Sequence, residues 1–263
     1  MRIIVFGSGS SGNATFVELG GKRLLIDVGL SFRHIENELC KLRTSVRLLD
    51  GVFITHSHND HVAGLKTLLK NAVLPLYVGE ETLREIKQTY RVDLNSYANL
   101  HLLKANSPVR WTKGSLSVLP LRVKHDVQSF GFYLESAEGS VVYVTDTGFL
   151  PKCHGEMLRD KDYYIFESNY DPEMLRACRY TNYVKQRIAS PTGHMSNEYS
   201  AHCTSELVGP HTKKVVLAHI SENSNTEELA LAAHRRAMQG GRFDLNNIVC
   251  AHQRRLLKVV DEM

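Results

Sequence analysis

The densest chemistry in the chain is His56-Ser57-His58-Asn59-Asp60-His61, which follows a short apolar run, Gly51–Thr55. In an extended segment residues i and i+2 point the same way, so His56 and His58 can bind one cation. Asp60 and His61, on the following turn, then point toward a neighbouring one. Four ligand-type side chains in six residues would be costly to keep without metal, because every buried polar group needs a partner. A solvated polar loop or a helix cap accounts for the cluster less well. It is not an HExxH helix, since no second histidine follows at i+4 with an intervening Glu. Histidine is also the compositional outlier, at 13 of 263 residues.

A second polar run, Gly7-Ser8-Gly9-Ser10-Ser11-Gly12, matches GxGxxG after a strand, and Asp27 lies where a ribose-binding acid would sit. A dinucleotide site needs a helix that starts at the third glycine. Here Asn13 to Leu19 is β-rich and runs into Gly20-Gly21, which argues against that site. What remains is a plain turn or a loop of backbone N–H groups facing an anion.

With HxHxDH after a strand, Asp27 in LLIDVG, His125 in VKHD, Asp146 in TDTG and His219 in LAHIS, the sequence resembles the metallo-β-lactamase superfamily. The resemblance implies an α/β fold, an αββα sandwich, carrying two divalent metal ions. His56, His58 and His125 would hold one, Asp60, His61 and His219 the other, and Asp146 would bridge them. Asp27 would fix histidine tautomers from behind. Within the superfamily the chain is most similar to the YycJ/WalJ-like branch, bacterial proteins described as 5′-to-3′ DNA exonucleases. The carrying segments are GSGSSGN, LLIDVGLS, THSHNDH, VTDTGFL, FESNYDPEML, KQRI, GHMSNE and LAHISENSN, which span residues 1–238. Departures are Ser57, where this branch often has Glu, and Cys178-Arg179-Tyr180 in place of Gly-Arg-Tyr.

The same resemblance assigns roles. His194 in GHMSN is similar to a histidine that ribonuclease-Z-like members use beside the metals, and Glu167 in FESN looks like its orienting carboxylate. Alone they would read as a helix cap and an ion-paired strand end. The implied reaction is phosphodiester hydrolysis by a metal-activated hydroxide, with Asp60, His194 and Glu167 catalytic and His194 protonating the leaving oxygen. Ser11, Asn13 and Asn169 would contact the phosphate. A His/carboxylate set without Cys suits zinc and tolerates manganese. The expected substrate is DNA; the alternative is a cyclic nucleotide, as for phage anti-defence phosphodiesterases. Only about twenty residues separate Asp146 from Glu167, too few for the long arm of tRNA-processing relatives. A non-enzymatic, metal-stabilised binding module is disfavoured by the complete ligand set.

The elements that position these residues follow from pattern. Strands are expected at 2–6, 14–19, 22–27, 51–55, 75–78, 115–123, 130–134, 141–145, 163–166, 214–217, 248–251 and 256–260. Helices are expected at 31–43, with Ser31 as cap, and at 62–70, 80–90, 171–178, 197–208 and 226–238. Hydrophobic residues make up 43% and charged residues 23%, globular values that exclude disorder and rods. One domain over 1–263 is expected, in two pseudo-symmetric halves of roughly 1–110 and 111–263, with its weakest boundary at Arg187–Gly193. The net charge of +4 does not by itself diagnose a nucleic-acid binder. Arg176, Arg179, Lys185, Arg187, Lys213 and Lys214 could track a phosphate backbone or simply form a solvated face. Trp111, Phe130, Phe132, Tyr163 and Tyr164 fit core packing better than base stacking. No apolar run approaches membrane-spanning length. Five widely spaced cysteines without CxxC suit a reducing, cytoplasmic compartment. A homodimer is compatible with all of this.

Overall fold

The computed structural model describes residues 1–90, 94, 97–111 and 115–261. Its strands are β1 (Arg2–Gly7), β2 (Ala14–Leu19), β3 (Lys22–Ile26), β4 (Gly51–Phe53), β5 (Leu76–Gly79), β6 (Leu100–Leu103), β7 (Val109–Arg110), β8 (Ser117–Val123), β9 (Ser129–Ser136), β10 (Gly139–Val144), β11 (Tyr163–Glu167), β12 (Lys214–Ala218), β13 (Ile248–Cys250) and β14 (Leu257–Asp261). They form two seven-stranded sheets, ordered β14-β1-β2-β3-β4-β5-β6 and β13-β12-β11-β10-β9-β8-β7. Each sheet is antiparallel on one side and parallel on the other; the parallel pairs are β3-β4-β5-β6 and β10-β11-β12-β13.

The sheets pack face to face through a dry middle layer that includes Ile3, Val17, Phe53, Phe132, Tyr143, Ile165 and Val216. Phe53 stacks on Tyr77 at 4.3 Å and meets Phe132 edge-on at 5.4 Å, the geometries that ring quadrupoles favour. Trp111 packs against this layer, and Phe130, Tyr163 and Tyr164 are buried. Helices cover the outer faces. On the first sheet these are α1 (Phe32–Lys41), α2 (Asn59–Val62), α3 (Leu65–Asn71) and α4 (Glu80–Tyr90); on the second lie α5 (Lys152–Leu158), α8 (Asn197–Leu207) and α9 (Glu227–Ala237), while the short α6 (Pro172–Ala177) and α7 (Asn182–Ile188) lie between β11 and α8 in the chain. The architecture is the αββα sandwich. No described helix is long and apolar enough to cross a membrane.

Local chemistry explains the boundaries. Ser31 caps α1 by accepting from His34 N, and Asp171, Thr181, Ser196 and Thr226 cap four later helices in the same way. The single helix expected over 62–70 is instead α2 and α3, broken at Ala63-Gly64. A Cβ on Gly64 would sit 2.1 Å from Leu30 O, so the chain must change direction against that carbonyl. The short β6, β7, α5 and α7 escape a pattern-based reading; α7 buries none of its residues and so carries no apolar stripe. Arg187–Gly193 is not a linker: His194 N donates to Ile188 O at 2.8 Å, folding this loop onto the sheet rim.

The first sheet draws on residues 2–103 and then on β14, so a division near 110 separates the sheets only in part. The chain beyond residue 238, outside the stretch that carries the resemblance, supplies an edge strand of each sheet: β13 beside β12 and β14 beside β1.

Candidate active site

Ligands gather on one rim because each follows the carboxyl end of a strand. Asp27 follows β3, His56 to His61 follow β4, His125 follows β8, Asp146 follows β10 and His219 follows β12, while Glu167 ends β11. This is where parallel α/β sheets generally place their sites. Asp27, Asp146 and His219 take φ of 62°, 55° and 54°, a left-handed turn that costs non-glycine residues about 1–3 kcal/mol each. Surrounding bonds impose it: Asp27 N donates to Phe53 O at 2.9 Å, and His219 N to Ser8 Oγ at 2.8 Å.

The histidines are oriented from behind. His61 Nδ1 donates to Asp27 Oδ2 at 2.7 Å, and Thr55 N donates to Asp27 Oδ1 at 2.8 Å. Thr55 Oγ1, which donates to Asp27, accepts from His56 Nδ1 at 3.0 Å. His125 Nδ1 donates to Gly193 O at 3.3 Å, and His194 Nδ1 to Glu167 Oε1 at 2.6 Å. Each such bond leaves Nε2 as the free atom, the tautomer a metal ligand requires. His58 is reversed, with Nδ1 3.3 Å from His125 Nε2.

The donor atoms of His56, His58 and His125 lie within 4.8 Å of one another. The same holds for Asp60, His61 and His219, for His56, His61 and Asp146, and for Asp146, Glu167, His194 and His219. Asp146 therefore stands near His56 of the first group and contacts His61 and His219 of the second. Its Oδ2 stands 3.3 Å from His61 Nε2 and its Oδ1 3.4 Å from His219 Nε2. Among the described residues, the buried His56 Nε2 and Asp146 Oδ2 have no hydrogen-bond partner. A cation supplies what these orphaned atoms lack, so the residues fit divalent metal.

Electrostatics agree. Burial pushes His56 well below the ordinary imidazole range, leaving it neutral and free to ligate. Burial also opposes charge on His219, but Asp146, Asp60 and Glu167 outweigh it and raise this histidine to about 10. Around His61, Asp27, Asp146 and Asp60 likewise overcome burial and lift it well above its usual value. So many carboxylates demand positive charge at this point, which metal ions would provide in place of protons.

The remaining expected contacts are distributed differently. Asn13, only 1% exposed, lies beneath the site: its Nδ2 is 3.2 Å from Asp60 Oδ2 and 2.9 Å from His61 Nε2. It braces Asp60 instead of facing the cleft. Asn169 donates to His219 O at 2.7 Å and, though buried, lines the recess next to the cleft and not the cleft itself. Ser11 is exposed and its N–H donates to Gln253 Oε1, while Ser10 lines the cleft. The glycine loop spends its amides internally, on His252 O, Asn13 Oδ1, Gly9 O and Asp60 O, so it is chiefly a brace. Glu167 is fully buried and also accepts from Thr147 N at 2.9 Å. Its other oxygen holds His194, whose side chain is 19% exposed.

The sequence reading missed Asp126, whose Oδ1 is 3.3 Å from both His58 Nε2 and His125 Nε2 and whose Oδ2 is 3.9 Å from Arg187 Nη1. Its one signal was adjacency to His125. Thr55, adjacent to His56, was missed in the same way.

The model of the Beta-lactamase superfamily domain matches residues 22–220. Over 227 residues the chain is 33% identical to exodeoxyribonuclease WalJ of Streptococcus pneumoniae serotype 2 (strain D39), covering 86% of this chain and 84% of that one. Exodeoxyribonuclease YycJ of Bacillus anthracis is 32% identical over 231 residues, covering 88% and 86%. The metallo-β-lactamase fold protein YhfI from Bacillus subtilis superposes with a TM-score of 0.72 over 97% of this chain and 98% of that one, at 17% identity, a likeness of fold.

Proposed function

Because the chain belongs to the β-lactamase superfamily, we propose that it is a metal-dependent exodeoxyribonuclease that hydrolyses DNA phosphodiester bonds from the 5′ end. The observation that carries this is the His194–Glu167 pair clustered with Asp146 and His219, with Asp146 also grouped with His56 and His61, together with exodeoxyribonuclease relatives aligned along most of the chain. His56, His58 and His125 would hold one cation and Asp60, His61 and His219 the other, with Asp146 serving both; zinc suits this donor set and manganese is compatible with it. When bound, the cations would neutralise the phosphate and lower the pKa of an attacking water.

The chain's own residues do the rest. Asp60 Oδ2, 3.4 Å from both His61 Nε2 and His219 Nε2, would ligate and orient the attacking water. His194, held through Nδ1 by Glu167, would present Nε2–H to the leaving oxygen; the buried carboxylate stabilises the protonated ring and fixes its plane. Asn13, Thr55 and Asp27 hold the ligand loop in register. Among the described residues Cys40, Cys178, Cys203 and Cys250 are free thiols, which accords with a cytoplasmic site of action.

A cyclic mononucleotide would need a closed pocket, whereas the cleft over the ligands, about 160 Å³, adjoins a second recess along α7. The test is protein reconstituted with zinc or manganese and offered 5′-labelled single-stranded DNA, duplex DNA and cyclic mononucleotides. Stepwise release of mononucleotides from the 5′ end is expected. Faster turnover of the cyclic compounds than of 5′-phosphorylated DNA would overturn the reading.

A further inference from the structure

Three recesses abut along one side of the molecule. The ligand cleft (about 160 Å³) and the next recess (about 230 Å³) share Ser10, Arg187, Ile188, His194 and His219 as walls. The second shares Ile220 and Ser221 with a third, about 480 Å³, that ends at Arg254 and Arg255. Phosphate-seeking groups stand at intervals beside apolar faces. Arg187 and Ile188 flank the first two recesses, and Tyr180 and Val184 join them in the second. The Tyr180 ring is anchored, its hydroxyl accepting from Asn223 Nδ2 at 2.8 Å.

Three observations mark this trough as built for a ligand. Helix α7 buries none of its residues, so the core does not require it, yet it forms the trough's outer wall. Among the described residues, Ser10 makes no hydrogen bond and the exposed Arg254 no ion pair, although the loops around them are closely bonded. Of the acids that line the third recess, Glu227 is already committed to His252 Nδ1 at 2.5 Å; Glu222 is the exposed exception.

We infer that this trough carries one DNA strand away from the cleft, with Arg187 and Ser10 on the phosphates next to the reacting bond, Tyr180 against a base, and Arg254 and Arg255 on phosphates further along. Cations tracking the backbone and an aromatic face for the bases are the chemistry by which single strands are held without sequence preference. This rests on the exodeoxyribonuclease reading and adds to it the path and length of the bound strand.

Metal-loaded protein is assayed on 5′-phosphorylated single strands of two to twenty nucleotides, and on bis(p-nitrophenyl) phosphate as a diester too small to reach the trough. In the parent the half-saturating concentration should fall as the strand lengthens. In the exposed double variant Arg254→Glu/Arg255→Glu it should rise at least tenfold for the longest strand, and the length dependence should flatten. The salt slope of binding should drop by about 1.4, two phosphates at about 0.7 each. Glu222→Gln, which removes a repelling charge, should tighten binding of the long strand. If the parent shortens DNA and the variants bind long strands as it does, the trough is wrong and the nuclease reading stands. If the parent cleaves the small diester and no DNA of any length, both fall.

Discussion

His194 and Glu167 divide one task between an accessible ring and a carboxylate that solvent cannot reach. Their bond of 2.6 Å fixes the ring. His194→Ala should therefore lower turnover by about 10²–10⁴, the range for loss of a general acid, while metal content by elemental analysis stays at the parent level. Glu167→Gln keeps a hydrogen-bond acceptor but removes the charge that stabilises the protonated ring. It should lower kcat with little change in KM across the pH–rate profile. A parent-like profile would return Glu167 to a purely structural role. At this scale the sequence was legible where residue type is itself the signal: histidines and aspartates at ligand spacing read as ligands. Asn13 and Ser11 show the limit, because a polar side chain after a glycine turn can face a phosphate or brace a neighbour, and only packing decides which.

Between elements, contact is close enough that single atoms matter. The loop after β3 lies against the turn that carries Asp60, and a Cβ on Gly29 would fall 1.6 Å from Asp60 O. Gly29→Ala should displace Asp60 and reduce metal occupancy, measured by elemental analysis, although residue 29 contributes no ligand. Helices α8 and α9 meet through His234, fully buried, with Nδ1 donating to Ala230 O at 2.8 Å and Nε2 3.1 Å from Ser200 Oγ. Burial lowers this histidine from 6.5 to about 4. As pH falls through 6.5 the unfolded chain takes up a proton that the folded one refuses, so stability present above that value is lost progressively toward pH 4, by about 3 kcal/mol at most. Melting of parent and His234→Gln across this window, both stripped of metal, should show the parent losing more. Long elements with a buried stripe were legible; α7 was not, because a helix that buries nothing has no period to read.

Across the whole molecule, ligands come from the ends of both sheets, so bound cations would tie one layer to the other. Removing them with a chelator should lower the melting temperature by about 8–16 °C. That follows from about 4.1 kcal/mol for one site filled at a thousandfold excess over Kd, at about 2–4 °C per kcal/mol in a domain of this size. An unchanged melting curve with metal demonstrably removed would count against this coupling. The general architecture was legible from motif order, but not the return of β14 to β1, because a pairing across more than 250 residues leaves no local pattern. That return bears on synthesis. Ser8, which holds His219 N, is itself held by His252 O, and Gln253 packs against the same glycine loop. A nascent chain ending between His219 and His252 has every ligand-type residue but not the carbonyl of His252 that holds Ser8, the serine on which His219 rests. The centre would thus stay unarmed on the ribosome until residues 252 and 253 had emerged and returned to the glycine loop.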